Sequence, residues 1–193
     1  LAVPAAAGTN TITLPAGTTD FSATGGAGQF VKQGSAGGAL TVSAVAVSEL
    51  SCTATNDNAS AGDLGQVISA SVALASAVSL TTTTTADVTS MSLTAGDWEV
   101  DGQVYFNAGA TTTIAAIACG INTASATMPN GAADMMPLFF LQSALTTGAD
   151  QCVPLCPARL SLASTTTVYL VAKASFGTST MKACGWIKAR RVR

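Results

Sequence analysis

Apolar and polar residues alternate strictly from Trp98 to Phe106. Trp98, Val100, Gly102, Val104 and Phe106 share one face, and Glu99, Asp101, Gln103 and Tyr105 share the other. A period of two sustained over this length predicts a half-buried strand, dry on one side and wet on the other. Thr94-Ala95-Gly96-Asp97 ahead of it predicts a tight turn. The alternation returns over Thr167–Phe176, with Val168, Leu170, Ala172, Ala174 and Phe176 inward and Tyr169, Lys173 and Ser175 outward. Ile114–Ile121 is apolar on both faces, as expected of a strand inside a sandwich or at a subunit interface. Leu40–Leu50, Val67–Leu74, Ala77–Leu80, Val88–Leu93 and Met181–Val192 are further strand-like runs, and the threonines Thr81–Thr85 favour extended backbone. The prolines of Gln151–Leu162 exclude a central strand there. No stretch carries a convincing helical period. Roughly eight to ten short strands separated by turn residues predict an all-β fold, an antiparallel β-sandwich or jelly roll.

The first quarter differs in texture. Leu1–Gln33 is rich in Gly, Ala and Thr, with short β-like words at Thr11–Leu14 and Gln29–Gln33, and Gly34–Gly38 reads as a flexible joint. Such a segment buries too little to fold alone. The expected organisation is an extended N-terminal arm or connector over residues 1–50, followed by a β-sandwich knob over residues 51–193. The start of the chain lacks the basic and the apolar parts of a secretory signal, so none is read, and it lacks an initiating Met, as a processed or partial chain would.

Composition sharpens this picture. Charged residues make up 9% of the 193, against about 25% in ordinary soluble proteins. Interface cores are depleted of charge, so the shortage points to a surface largely covered in an obligate homo-oligomer. The alternative is a secreted Ser/Thr-rich β domain kept soluble by hydroxyls. The net charge of −2 favours neither nucleic acid nor an anionic membrane as partner. Mean hydropathy is +0.45, but no run of about 20 apolar residues occurs, and no transmembrane helix is expected.

Candidate chemistry is sparse. The chain contains no His, so Ser-His-Asp and Cys-His sites are excluded in their ordinary form. Glu99 and Asp101 lie two apart on one strand face, which points both toward solvent. Gly25, Gly26 and Gly28 do not sit between a strand and a helix, so no phosphate cradle is read. Asp57, Asn58 and Asp63 have the oxygen chemistry for a loose calcium site, but Asx turns account for them at less cost. No enzyme, cofactor or metal is expected. The clustered Met128, Met135, Met136, Phe139 and Phe140 read as core or interface filler. The closing Lys182, Lys188, Arg190, Arg191 and Arg193 are expected to pair with acidic groups of a neighbour or to end a strand in solvent. Five cysteines, Cys52, Cys119, Cys152, Cys156 and Cys184, fit no zinc spacing; they are candidates for disulfides within or between subunits, and the alternative is inert buried thiols. Their pairing is not readable from the sequence.

Leu93–Val100 ahead of an alternating strand resembles the strand word of the TNF/C1q-type jelly roll, and the final pair of strands is placed as in that family. The chain is more closely similar to small structural proteins of tailed-bacteriophage virions, in Leu93–Phe106, in Gly120–Thr127 and in the closing stretch from Thr165. Phe21–Leu50 is similar to connector modules that precede fibre knobs. The likeness covers most of Phe21–Arg193, and the cysteines depart from it. It implies a homotrimeric β-knob on the virion surface, contacting the major capsid protein or neighbouring virion proteins. Two placements follow: a head-decoration (cement) protein, favoured by the short arm, or a collar or tail fibre knob that binds a host receptor. A secreted adhesin or lectin domain is a third class, and it would need an exposed aromatic platform.

Overall fold

The computed structural model describes residues 30–33, 40–45, 58–131 and 136–193. The chain divides into two compact units, Leu1–Asn56 and Asp57–Arg193. In the first, β1 (Phe30–Gln33) and β2 (Leu40–Ser43) pair antiparallel, with Phe30 opposite Ser43 and Gln33 opposite Leu40. The word Thr11–Leu14, the joint Gly34–Gly38 and the rest of the expected arm lie outside the described residues.

The second unit contains β3 (Val67–Val72), β4 (Val78–Ser79), β5 (Ala86–Leu93), β6 (Gly96–Ala108), β7 (Thr113–Asn122), β8 (Leu138–Leu141), β9 (Gln151–Leu162), β10 (Thr166–Gly177) and β11 (Met181–Arg191). One sheet has the order β3-β11-β6-β9, and β4 also pairs with β11 beyond a short 3-10 turn at Leu74–Ser76. The other has the order β5-β10-β7-β8. Every pairing is antiparallel. From β4 onward the chain crosses to the opposite sheet at each step except β7 to β8. Two sheets filled in this order form a jelly roll, the predicted fold. Among the described residues no helix is long and apolar enough to cross a membrane.

The core is made by the alternation itself. Trp98, Val100, Val104 and Phe106 on β6 meet Ile117, Cys119 and Ile121 on β7 and Val168 and Leu170 on β10 in one buried cluster. On β10 the inward set is the predicted one, Phe176 at its end being partly buried against the same cluster. β9 pairs only with β6, so the proline-bearing strand is an edge. Pro154 and Pro157 lack the N–H that an approaching strand would need, which protects that edge from further pairing. The register of β9 shifts between Val100 and Gly102, where Asp101 faces both Cys156 and Pro157.

Thr94–Ala95 carries the chain from the end of β5 in one sheet to the start of β6 in the other, so the predicted turn closes no hairpin. Beside this crossing Arg191 is buried. Its Nη1 donates to the Ala95 carbonyl at 3.0 Å, its Nη2 donates to the Thr94 hydroxyl, and its guanidinium lies over the Trp98 ring, 4.3 Å from the centroid. Gly96, with φ +135°, leaves room for that guanidinium. The residues after β11 also pair with β6: Val192 N–H donates to the Asp97 carbonyl at 3.0 Å and Asp97 N–H to the Arg193 carbonyl at 3.3 Å.

The long connection from β7 to β8 turns back over the four-stranded sheet. Pro129 occupies the space that a side chain at Gly120 would fill. Asp87 on β5 fastens the connection by accepting from Ser125 Oγ at 2.5 Å and Ala126 N–H at 2.7 Å. Val171, opposite both Gly120 and Asp87, is fully buried although it points away from the core.

Candidate assembly surfaces

The outer face of the five-stranded sheet is built row by row from the strand register. Arg190 lies opposite Glu99, which lies opposite Arg159, and Lys188 lies opposite Asp101. Arg190 reaches Glu99 at 3.0 Å and Lys188 reaches Asp101 at 3.3 Å. Arg159 and Arg193 meet on the buried Asp97 carboxylate at 2.8 and 2.6 Å. Arg191 is buried beside Trp98, whereas Lys188, Arg190 and Arg193 thus pair with carboxylates of their own chain while remaining at the solvent surface. The reason is register: antiparallel β11 lays its wet face beside the wet face of β6. Exposed pairs of this kind contribute about 0.2–1 kcal/mol each, so they set register and solubility more than stability.

Above these rows runs an uncharged band of Ser71, Trp186, Gln103 and Pro154, then Cys184, Tyr105 and Cys152. Tyr105 Oη donates to Asp150 at 2.6 Å, and Asp150 also accepts from Asn107 Nδ2 at 3.1 Å and Ala108 N–H at 2.9 Å. The Tyr105 hydroxyl and the Ala108 amide hold the Asp150 carboxyl below its ordinary range, and the same bond to Asp150 raises the tyrosine. The Ser161 hydroxyl, the Arg159 hydrogen bond and the charges of Arg159 and Arg193 lower Asp97, against the opposing effect of burial.

A pH dependence follows. Both carboxyls have folded pKa values below their unfolded ones. Their stabilisation is present above the unfolded value and disappears as pH falls through the folded value. Thermal melts between neutral pH and strong acid are expected to be less pH-dependent in an Asp97→Asn, Asp150→Asn double variant than in the parent. Equal slopes would mean that neither group carries the acid sensitivity.

The expected disulfides do not form among the four cysteines of the described residues: Cys119, Cys152, Cys156 and Cys184 are free. Cys52 lies outside the described residues. Geometry explains the correction. Cys152 and Cys184 both lie opposite Tyr105, on strands either side of it, and two inter-strand spacings amount to about 10 Å. Cys152 and Cys156 are four residues apart on one strand, about 13 Å. Bridged Cα atoms lie within about 7 Å of one another. Cys119 faces the core, and burial pushes its thiol up to about 12. Burial, then the charge of Asp150, raises Cys184. Among these four, iodoacetamide is expected to alkylate Cys152 and Cys156 in the reduced native protein, and Cys119 and Cys184 after unfolding. Peptide mass mapping reads the order, and native labelling of Cys119 would contradict its place in the core.

The four-stranded sheet presents a different outer face. Within it, Lys173 lies opposite Ala118, which lies opposite Phe140. These three border a groove of about 250 Å³ floored by Ala115, Ala116 and Ala118. Phe140 is 60% exposed. Among the described residues Lys173 has no ion pair, and Asp87, the carboxylate on this face, is occupied by the covering connection. Of the aromatic cluster, Met136 and Phe139 pack against the core while Phe140 does not, and Met135 lies outside the described residues. The apolar outer positions of Ile114–Ile121 signalled this surface; the sequence alone left it divided between core and interface.

Of the loop candidates for calcium, Asn58 is otherwise engaged. Asn58 pairs with both backbone groups of Val67, at 2.6 and 2.8 Å, as a strand edge would. Asp57 lies outside the described residues. Arg191 was not singled out by sequence as a core residue, although it continues the inward series of Ile187 and Ala189.

No family model matches the chain, and comparison with curated protein sequences likewise finds no match. Among solved structures, the chain is similar to a structure of the Gx strain of infectious bursal disease virus, with 14% identity and a TM-score of 0.42, over 67% of this chain and 33% of that one. A crystal structure of the VP2 subviral particle of the same virus shares 15% identity at a TM-score of 0.37, over 66% and 30% of the two chains. The chain therefore spans about a third of the length of these viral structural neighbours.

Proposed function

We propose that this chain is a structural protein of a tailed-bacteriophage virion, a homotrimeric head-decoration (cement) protein that clamps neighbouring copies of the major capsid protein. The observation that carries the reading is the uneven charge of the two outer faces. One sheet bears ordered ion pairs suited to water; the other offers alanines, an exposed Phe140 and a lone ammonium. A face so poor in charge has the composition of an interface centre. Together with the resemblance of Leu93–Phe106 and the closing strands to phage virion proteins, it supports a role in assembly. The role is non-catalytic and needs no cofactor, nucleic acid or membrane.

The test is copy number per purified particle, by quantitative mass spectrometry against the major capsid protein. Hundreds of copies are expected. A dozen or so would favour the second reading, a collar or tail fibre knob, which the connector-like words of Phe21–Leu50 support. Absence from the particle would overturn both. The exposed Cys152 and Cys156 are the candidates for covalent links between subunits in the assembled particle. Non-reducing gels of intact virions that showed only monomeric, fully alkylatable chain would remove that part.

A further inference from the structure

The turn just ahead of β3 presents a side chain that the jelly roll does not use. Leu64 is 69% exposed, the highest value of any large apolar side chain among the described residues. Its backbone is nevertheless held firmly. Asp63 N–H donates to the Ser60 carbonyl at 3.0 Å, Gln66 N–H to the Asp63 carbonyl at 3.1 Å and Gly65 N–H to the Arg191 carbonyl at 3.0 Å. Gly62 N–H donates to Gln66 Oε1 at 2.8 Å. The neighbouring Asp63 carboxylate is exposed and has no ion pair or hydrogen bond among the described residues. The turn is thus a fixed projection with an apolar tip and an adjoining negative charge. With its backbone already ordered, binding has only the side chains left to fix.

The groove on the four-stranded sheet has the complementary features: an apolar floor, an aromatic wall at Phe140 and the unpaired ammonium of Lys173 on the opposite rim. Projection and groove cannot meet within one jelly roll. The turn belongs to the five-stranded sheet, at the end where β11 finishes. The groove belongs to the other sheet, beside the end where the β6–β7 and β10–β11 connections meet through Gly109 and Thr180.

We propose that Asp63 and Leu64 of one copy dock into the groove of a second copy, with Leu64 on the alanine floor beside Phe140 and the Asp63 carboxylate on Lys173. Because the two partners of the contact are different surfaces, the association is head-to-tail. Such a contact closes into a ring when its rotation permits. The inference rests on the trimeric reading above and names the contact that would build it.

The experiment compares the full-length parent with Asp63→Lys, Lys173→Glu, the double variant carrying both, and Leu64→Asp, by light scattering after size-exclusion chromatography over a dilution series. These changes are on the surface, and circular dichroism spectra matching the parent's, with a cooperative melt, confirm that each chain folds. A trimeric parent is expected. Each single reversal should raise the concentration at half-dissociation several-fold, Leu64→Asp should raise it by at least about tenfold by placing a charge on an apolar floor, and the double variant should return toward the parent. If the parent is trimeric and the singles dissociate no more readily, or the double variant is no better than the singles, the contact is wrong while the trimer stands. A parent that is monomeric throughout overturns the trimer, and the contact with it.

Discussion

Replacing Gly185 with alanine is expected to destabilise the jelly roll by more than about 3 kcal/mol, a large part of the margin of a typical domain. Gly185 sits in the middle of β11, between Val72 of β3 and Val104 of β6, with φ +152°. A Cβ there would overlap the carbonyl oxygen of Gln103 and crowd the Cα of Val104. These are backbone atoms of a central strand, which cannot retreat without breaking the pairing on either side. Gly96→Ala is the informative contrast. Its new methyl would meet the tip of the Arg191 side chain, which can move at the cost of its own bonds. Urea denaturation should therefore rank Gly185→Ala well below Gly96→Ala, and Gly96→Ala below the parent. A Gly185→Ala chain within about 1 kcal/mol of the parent would refute the close approach of β11 to β6 at this position.

Trp98→Ala carries the other large effect. The side chain is wholly buried, its Nε1 donates to the Thr94 carbonyl at 2.9 Å, and the Arg191 guanidinium rests on its ring. Truncation leaves a cavity between the sheets and strips the arginine of its aromatic support, for a loss of about 3–5 kcal/mol. Trp98→Phe keeps an aromatic face under Arg191 and most of the volume, so its cost should stay below about 2 kcal/mol. The difference between the two variants in denaturation midpoint separates packing from the hydrogen bond. Equal losses would place the energy in the Thr94 contact instead.

Much of the architecture was legible because a strand writes its two faces into its own sequence. β6 and β10 were readable residue by residue, and the prolines of Gln151–Leu162 ruled out a central strand, in keeping with the edge position of β9. What alternation does not encode is the partner. It assigned Glu99 and Asp101 to a wet face but was silent on Arg190 and Lys188, which arrive opposite them through a register set far along the chain. The cysteines show the same limit. Spacing along the chain says little about spacing across strands, and Tyr105 separates the two thiols that share its row. Thr94–Ala95 was recognisable as a turn, yet a short turn looks alike whether it closes a hairpin or passes between sheets. The groove was partly foretold by the apolar outer face of β7, whereas Lys173 and Phe140 come to it from two other strands.

The pairing of β3 with β11 has a kinetic consequence. The side chains of Gln66 and Arg191, which meet beside that pairing, are 125 residues apart in sequence. Strands made early at the ribosome must wait for the last one before the five-stranded sheet can close. Until then the inward face of β6 lacks the neighbour that shields it. Contacts of such long sequence separation make folding slow, and the waiting chain exposes apolar strand edges. Production of this protein should therefore be limited by aggregation of nascent chains more than by the stability of the finished fold, and truncations that remove β11 should be insoluble rather than merely weakened.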